Sequence, residues 1–168
     1  MTVTTGLWAR IIAGLVIGHA FCSAAMAFDL AGDTVFPASD PKRLWVLLPV
    51  GYICTILIET PVLLIGLSRQ ITFRQRLFAG AWLSACTYPI VMLVLPVVFA
   101  ESTRGLYLLV AETFAPVAEC ALFWAAFQRR LDLSRGTQLR NFAVIVLANL
   151  MSFGAGEILA TNRWFSLI

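Results

Sequence analysis

Apolar residues along this chain gather in long stretches broken by isolated polar positions, without the strict alternation of a half-buried strand. Five such stretches cover residues 7–28, 44–67, 77–100, 106–127 and 142–160. Crossing a hydrocarbon core of about 30 Å takes roughly 20 helical residues. The pattern therefore predicts an all-α, polytopic membrane protein with five transmembrane helices, forming a single transmembrane domain over residues 1–168. The connections between the stretches are short and leave no room for a soluble domain.

Composition agrees, since the chain is 60 % hydrophobic and 12 % charged, about half the charge of an ordinary soluble domain. The lipid bilayer is the first expected partner. Cytoplasmic ends of membrane helices collect arginine and lysine. With the N-terminus inside, the inner side holds Arg10, Arg69, Arg74, Arg76, Arg129, Arg130, Arg135 and Arg140. The outer side holds Lys42, Arg43, Arg104 and Arg163, beside Asp29, Asp33, Asp40 and Glu101. The bias favours N-in, C-out in a bacterial-type inner membrane. The net charge of +3 thus reports topology. It carries no nucleic-acid footprint, because no basic face interleaves with stacking aromatics.

Residues 7–28 also resemble a cleavable signal peptide, with Arg10 ahead of "IIAGLVIGHAF" and a small-residue end at Ala25, Met26 and Ala27. We read the segment as a retained first helix. Its Gly14, Gly18 and Cys22 recur at one helical spacing and would let another helix backbone approach closely. Cys22, Cys54, Cys86 and Cys120 all fall inside spans with no C-x-x-C spacing. They read as small buried hydrophobes, and neither a metal nor a cofactor is expected.

The polar positions inside the spans repeat. Glu59 in the second span and Glu119 in the fourth occupy nearly equal depths, and each span leads into an arginine-rich turn. Each returning helix then carries a polar pair three residues apart, Ser84 with Thr87 and Asn149 with Ser152, a spacing that shares one helix face. Spans two and three and spans four and five thus read as a possible parallel two-helix repeat about an axis along the membrane normal. Glu112 precedes Glu119 by seven residues, two turns or about 10 Å along the same face. Glu157 and His19 fall at middle to outer depth.

A charge at the centre of a bilayer costs at least about 2.5 kcal/mol on insertion scales, so such residues face the bundle interior and are paired, protonated or hydrated. Four intramembrane glutamates suggest a proton- or cation-handling path through Glu59, Glu112, Glu119 and Glu157, with Ser84, Thr87, Asn149 and Ser152 as polar lining and His19 as a relay. The competing reading makes them interhelical glue, hydrogen-bonded to Thr60, Ser84, Asn149 or Ser152. Pro61 and Pro116 sharpen the choice, because each frees a carbonyl one turn earlier, that of Leu57 and that of Glu112. A kink beside a carboxylate suits a pocket or a hinge.

Catalytic signatures are missing from the sequence: there is no G-x-S-x-G, H-E-x-x-H or phosphate loop. An enzyme is therefore not the expected class. Two functions remain: a transporter or channel-like protein for protons, cations or a proton-coupled solute, and a non-catalytic accessory or anchoring subunit. Five helices make a thin wall for a pore, so a homo-oligomer or other membrane subunits are expected. The small-residue stretches "GLVIG" and "SFGAG" would serve either assembly.

Overall fold

The computed structural model describes residues 41–128 and 134–161. The expected first span, with Gly14, Gly18, His19 and Cys22, lies outside the described residues. Among the described residues there are four helices long and apolar enough to cross a membrane, and no strand. Helix α1 runs Pro41–Gly66 and α2 runs Phe73–Pro89. A π-helical turn, Ile90–Val94, and an α-helical turn, Leu95–Val98, prolong α2. Helix α3 spans Arg104–Phe123 and passes into a second π-helical turn, Trp124–Gln128. Helix α4 spans Arg135–Thr161.

All four helices begin before their apolar stretches, and for α2, α3 and α4 the first turns explain why. Thr72 opens α2 with a reciprocal cap: its hydroxyl accepts from Gln75 N at 3.3 Å while Gln75 Oε1 accepts from Thr72 N at 2.9 Å. Thr103 Oγ1 accepts from Leu106 N, and Ser134 Oγ accepts from Thr137 N, each at 3.3 Å. Capped ends carry their own backbone donors, so the helices extend beyond the apolar core of each span. Periodicity alone does not register those capped turns.

Each helix packs against two neighbours, closing a ring in the order α1, α2, α3, α4. The bundle is apolar outside, and within it a layer of polar side chains lies beside an apolar core that includes Leu63, Leu83, Phe123 and Ile145. Leu57, Ile65, Val117 and Ile158 are exposed, whereas Glu59, Ser84, Thr87, Glu119 and Asn149 are buried. In water that distribution would be costly, but lipid tails solvate the outer face as well as a protein core would. Close approach falls at Gly66 and Gly80: a Cβ on Gly80 would lie 2.6 Å from Thr60 Oγ1 and 3.1 Å from Thr60 Cα. Gly154 and Gly156 of the "SFGAG" stretch meet nothing within 4 Å. No close helix approach is made at these glycines among the described residues, and Gly156 lines the interior cavity described below.

The C-terminal end of α1 is held by its two neighbours. Arg140 donates from Nε and Nη2 to the Gly66 carbonyl at 3.1 and 2.9 Å, Arg76 donates to the Leu64 carbonyl at 2.6 Å, and Ser68 N donates to Asn141 Oδ1 at 2.9 Å. The two arginines satisfy terminal carbonyls that a helix end leaves open, and Asn141 accepts from the backbone N–H just beyond that end. Arg140→Leu is expected to lower stability by about 1.5–3 kcal/mol, the usual range for a bond to a charged donor. A thermal unfolding midpoint in detergent checks this, and an unchanged midpoint would contradict the capping role.

Candidate functional site

The ring order puts the two matched carboxylates on opposite helices, Glu59 on α1 and Glu119 on α3, and the polar pairs on the helices between them. Each carboxylate is 2 % exposed and is bonded by both flanking helices. Ser84 Oγ of α2 donates to Glu59 Oε2 at 2.7 Å, and Ser152 Oγ of α4 donates to Glu59 Oε1 at 2.6 Å. Thr87 Oγ1 of α2 donates to Glu119 Oε1 at 2.8 Å, and Asn149 Nδ2 of α4 donates to Glu119 Oε2 at 2.7 Å. Both polar pairs are thus divided between the carboxylates, one member to each. The members of a pair stand about one helical turn apart, roughly 5 Å, and the bonds cross: Glu59 takes the earlier residue on α2 and the later on α4, and Glu119 the reverse.

Charge is not balanced within this layer. Among the described residues, Glu59 and Glu119 have hydrogen-bond donors that are all neutral. Arg104, the first residue of α3, is engaged elsewhere. Its Nη2 donates to Glu157 Oε1 and Oε2 at 2.9 and 3.1 Å, tying the start of α3 to α4.

A cavity of about 210 Å³ runs between the helices and is lined by Glu59, Glu112, Glu119 and Glu157, together with Thr87, Asn149 and Ser152. It has room for several waters, which need polar partners of this kind. It is smaller than the roughly 300 Å³ at which pockets for drug-sized ligands begin. An ion or a small solute fits this space. The remaining wall is aromatic and apolar, including Tyr88, Tyr107, Met92 and Phe153.

No protein-family model, curated protein or solved structure matches this chain. The functional reading therefore rests on the residues themselves.

Of the residues singled out from the sequence, seven line the cavity: Glu59, Glu112, Glu119, Glu157, Thr87, Asn149 and Ser152. Ser84 supports Glu59 from behind, 1 % exposed and outside the cavity wall. His19 falls outside the described residues. Thr60, a suggested partner for Glu59, instead turns toward Gly80, and its buried hydroxyl has no hydrogen-bond partner.

Sequence reasoning missed the aromatic wall and the role of Arg104. A signal was present, because Tyr88 directly follows Thr87 and Phe153 directly follows Ser152. Gly51 is the other half of that signal: a Cβ there would strike the Tyr88 hydroxyl, so the missing side chain makes room for the ring. Tyr107 is anchored by the π-helical turn. A π-helical turn offsets the backbone ladder and releases a carbonyl, and Tyr107 Oη donates to Val91 O of that turn at 3.1 Å.

Proposed function

We propose that this chain moves a proton, a small cation or a small solute coupled to one of these, through the cavity between its helices. The observation that carries the reading is the convergence of four glutamates on one cavity, with Glu59 and Glu119 held by neutral donors alone among the described residues. Two carboxylates buried on one cavity repel each other and are poorly solvated. Such a pair is a site for added positive charge. In this reading Glu59 and Glu119 are the central pair, set by Ser84, Thr87, Asn149 and Ser152. Glu112 and Glu157 line the access from the Arg104 end, and His19 is a relay on the first of five spans.

Topology enters the same proposal. The chain lies N-in, C-out in a bacterial-type inner membrane, with the Arg69, Arg74, Arg76, Arg135 and Arg140 end of the bundle at the cytoplasm. The two hairpins are parallel copies. What supports this is the bonding pattern: each glutamate takes the first polar residue of its own hairpin and the second of the other, Ser84 with Ser152 for Glu59 and Asn149 with Thr87 for Glu119. An axis along the membrane normal exchanges these two sets.

The test is transport by the purified wild-type protein in liposomes under an imposed pH gradient. The gradient is expected to collapse faster than in protein-free vesicles, in proportion to the protein added. A rate equal to that of empty vesicles, with each small monovalent cation tried as co-ion, rejects the proposal.

A second reading, an accessory subunit of a larger membrane assembly, is favoured by one observation. Each carboxylate joins its own helix to both neighbours, which is also what interhelical glue would do. The face at Gly154, where no close helix approach is made among the described residues, would then receive a partner or a second copy. Stoichiometric recovery of another membrane protein on mild solubilisation, with silent liposomes, supports this reading over the first.

A further inference from the structure

The hydroxyls around the two carboxyls each reach a second acceptor, and this decides what the site can hold. A hydroxyl carries one hydrogen and can also accept. Ser84 Oγ lies 2.7 Å from Glu59 Oε2 and 3.0 Å from the Gly80 carbonyl. Ser152 Oγ lies 2.6 Å from Glu59 Oε1 and 3.0 Å from the Asn149 carbonyl. Thr87 Oγ1 lies 2.8 Å from Glu119 Oε1 and 3.2 Å from the Leu83 carbonyl. Three hydroxyls thus have three hydrogens and six acceptors.

Asn149 behaves differently. Its amide has two hydrogens, and both are used, toward Glu119 Oε2 at 2.7 Å and the Ile145 carbonyl at 3.1 Å. Turning the amide over would set its oxygen against two other oxygens, so the assignment of Nδ2 follows from the network. Asn149 therefore donates to Glu119 whatever the charge of that carboxyl.

We propose that Ser84, Ser152 and Thr87 are proton-state adapters, hydroxyls whose rotation lets Glu59 and Glu119 exist either as carboxylates or as carboxylic acids with no movement of the helices. With both carboxylates charged, all three hydroxyls donate to them. When Glu119 takes up a proton, the new O–H donates to Thr87 Oγ1, and the Thr87 hydrogen swings to the Leu83 carbonyl. Because Asn149 occupies Oε2, the proton of Glu119 resides on Oε1. When Glu59 takes up a proton, its O–H donates to Ser84 or Ser152, whose own hydrogen turns to the carbonyl of Gly80 or Asn149. Each step adds one proton and leaves every hydroxyl hydrogen bonded.

The ionisable groups that face the pair are Cys54 on α1, Tyr88 on α2, Tyr107 and Glu112 on α3, and Glu157 on α4. Cys120 lies next to Glu119 in the chain. Arg104 belongs to the ion pair with Glu157. Among the described residues the donors bonded to Glu59 and Glu119 are all neutral; in this proposal protons on the pair are exchanged through the cavity and the adapters. The inference rests on the proton-handling reading above and adds where each proton sits.

Infrared difference spectroscopy of the protein in lipid, titrated with acid and base, tests it. A carboxylic acid has a carbonyl stretch that a carboxylate lacks, and subtracting the spectra of Glu59→Gln and Glu119→Gln assigns one band to each residue. Both bands are expected to appear and vanish reversibly on titration. In Asn149→Ala, or Asn149→Ser if the alanine variant does not fold, the Glu119 band is expected to move to higher frequency, because its carbonyl oxygen loses the amide donor, while the Glu59 band stays. Absence of a titrating acid band that is lost in either glutamine variant overturns the proposal. So does a Glu119 band that does not move when Asn149 is replaced. If the bands behave as expected while wild-type liposomes remain silent, the adapters stand and the transport reading fails.

Discussion

Arg104→Glu is expected to lower the stability of the bundle by about 2 kcal/mol or more, and Glu157→Arg in the same chain is expected to restore most of the loss. Arg104 and Glu157 side chains are 25 % and 18 % exposed, between the exposed pairs worth about 0–1 kcal/mol and the fully buried ones that cost about 3–5 kcal/mol to break. Reversal is more severe than removal here, because it sets a new carboxylate against Glu157 at the mouth of a cavity that Glu112 also lines. The helix dipole opposes the effect. Arg104 is the first residue of α3, where an acidic residue gains about 0.3–1 kcal/mol from the dipole. A net loss must therefore come from the broken pair. A double-mutant cycle on the unfolding midpoint isolates it, and failure of Glu157→Arg to rescue would mean that Arg104 matters for another reason.

Glu119→Gln and Glu59→Gln are expected to leave the bundle folded and to remove transport. Glutamine has the shape of the protonated acid and its polarity as well. At Glu119, the amide NH2 would donate to Thr87 Oγ1 and the carbonyl would accept from Asn149 Nδ2, while the Thr87 hydrogen turns to Leu83 O at 3.2 Å. At Glu59, Ser84 or Ser152 releases its hydrogen to a helix carbonyl in the same way. Stability is expected to stay within about 1 kcal/mol, since no buried polar group loses its partner. The amide exchanges no proton at physiological pH. A positioned proton donor or acceptor contributes about 10²-fold to 10⁴-fold, so the rate of gradient collapse is expected to fall by at least about 100-fold in either variant.

Four of the spans were legible in the sequence because long apolar stretches have few other uses. Their ends were not, because the first turns of α2, α3 and α4 depend on Thr72, Thr103 and Ser134 acting as caps, a local chemistry that a hydropathy window averages away. The pairing of Glu59 with Glu119 could be read from depth, and Ser84, Thr87, Asn149 and Ser152 from their spacing of three. Which hydroxyl serves which carboxylate depends on the ring order of the helices, and one chain of letters does not contain that order. Thr60 shows the limit: it stands next to Glu59 in sequence, yet lies on the face that packs against Gly80. Arg104 was legible as a charge at a helix end and illegible as the partner of Glu157, 53 residues away.

The most direct test of the central claim, that Glu59 and Glu119 handle positive charge within the membrane, is the rate of pH-gradient collapse in liposomes holding equal amounts of folded wild-type, Glu59→Gln and Glu119→Gln protein. Rapid collapse with the wild type and rates near those of empty vesicles with each variant are predicted. Wild-type rates in both variants would contradict the claim and leave the two carboxylates as ties between helices.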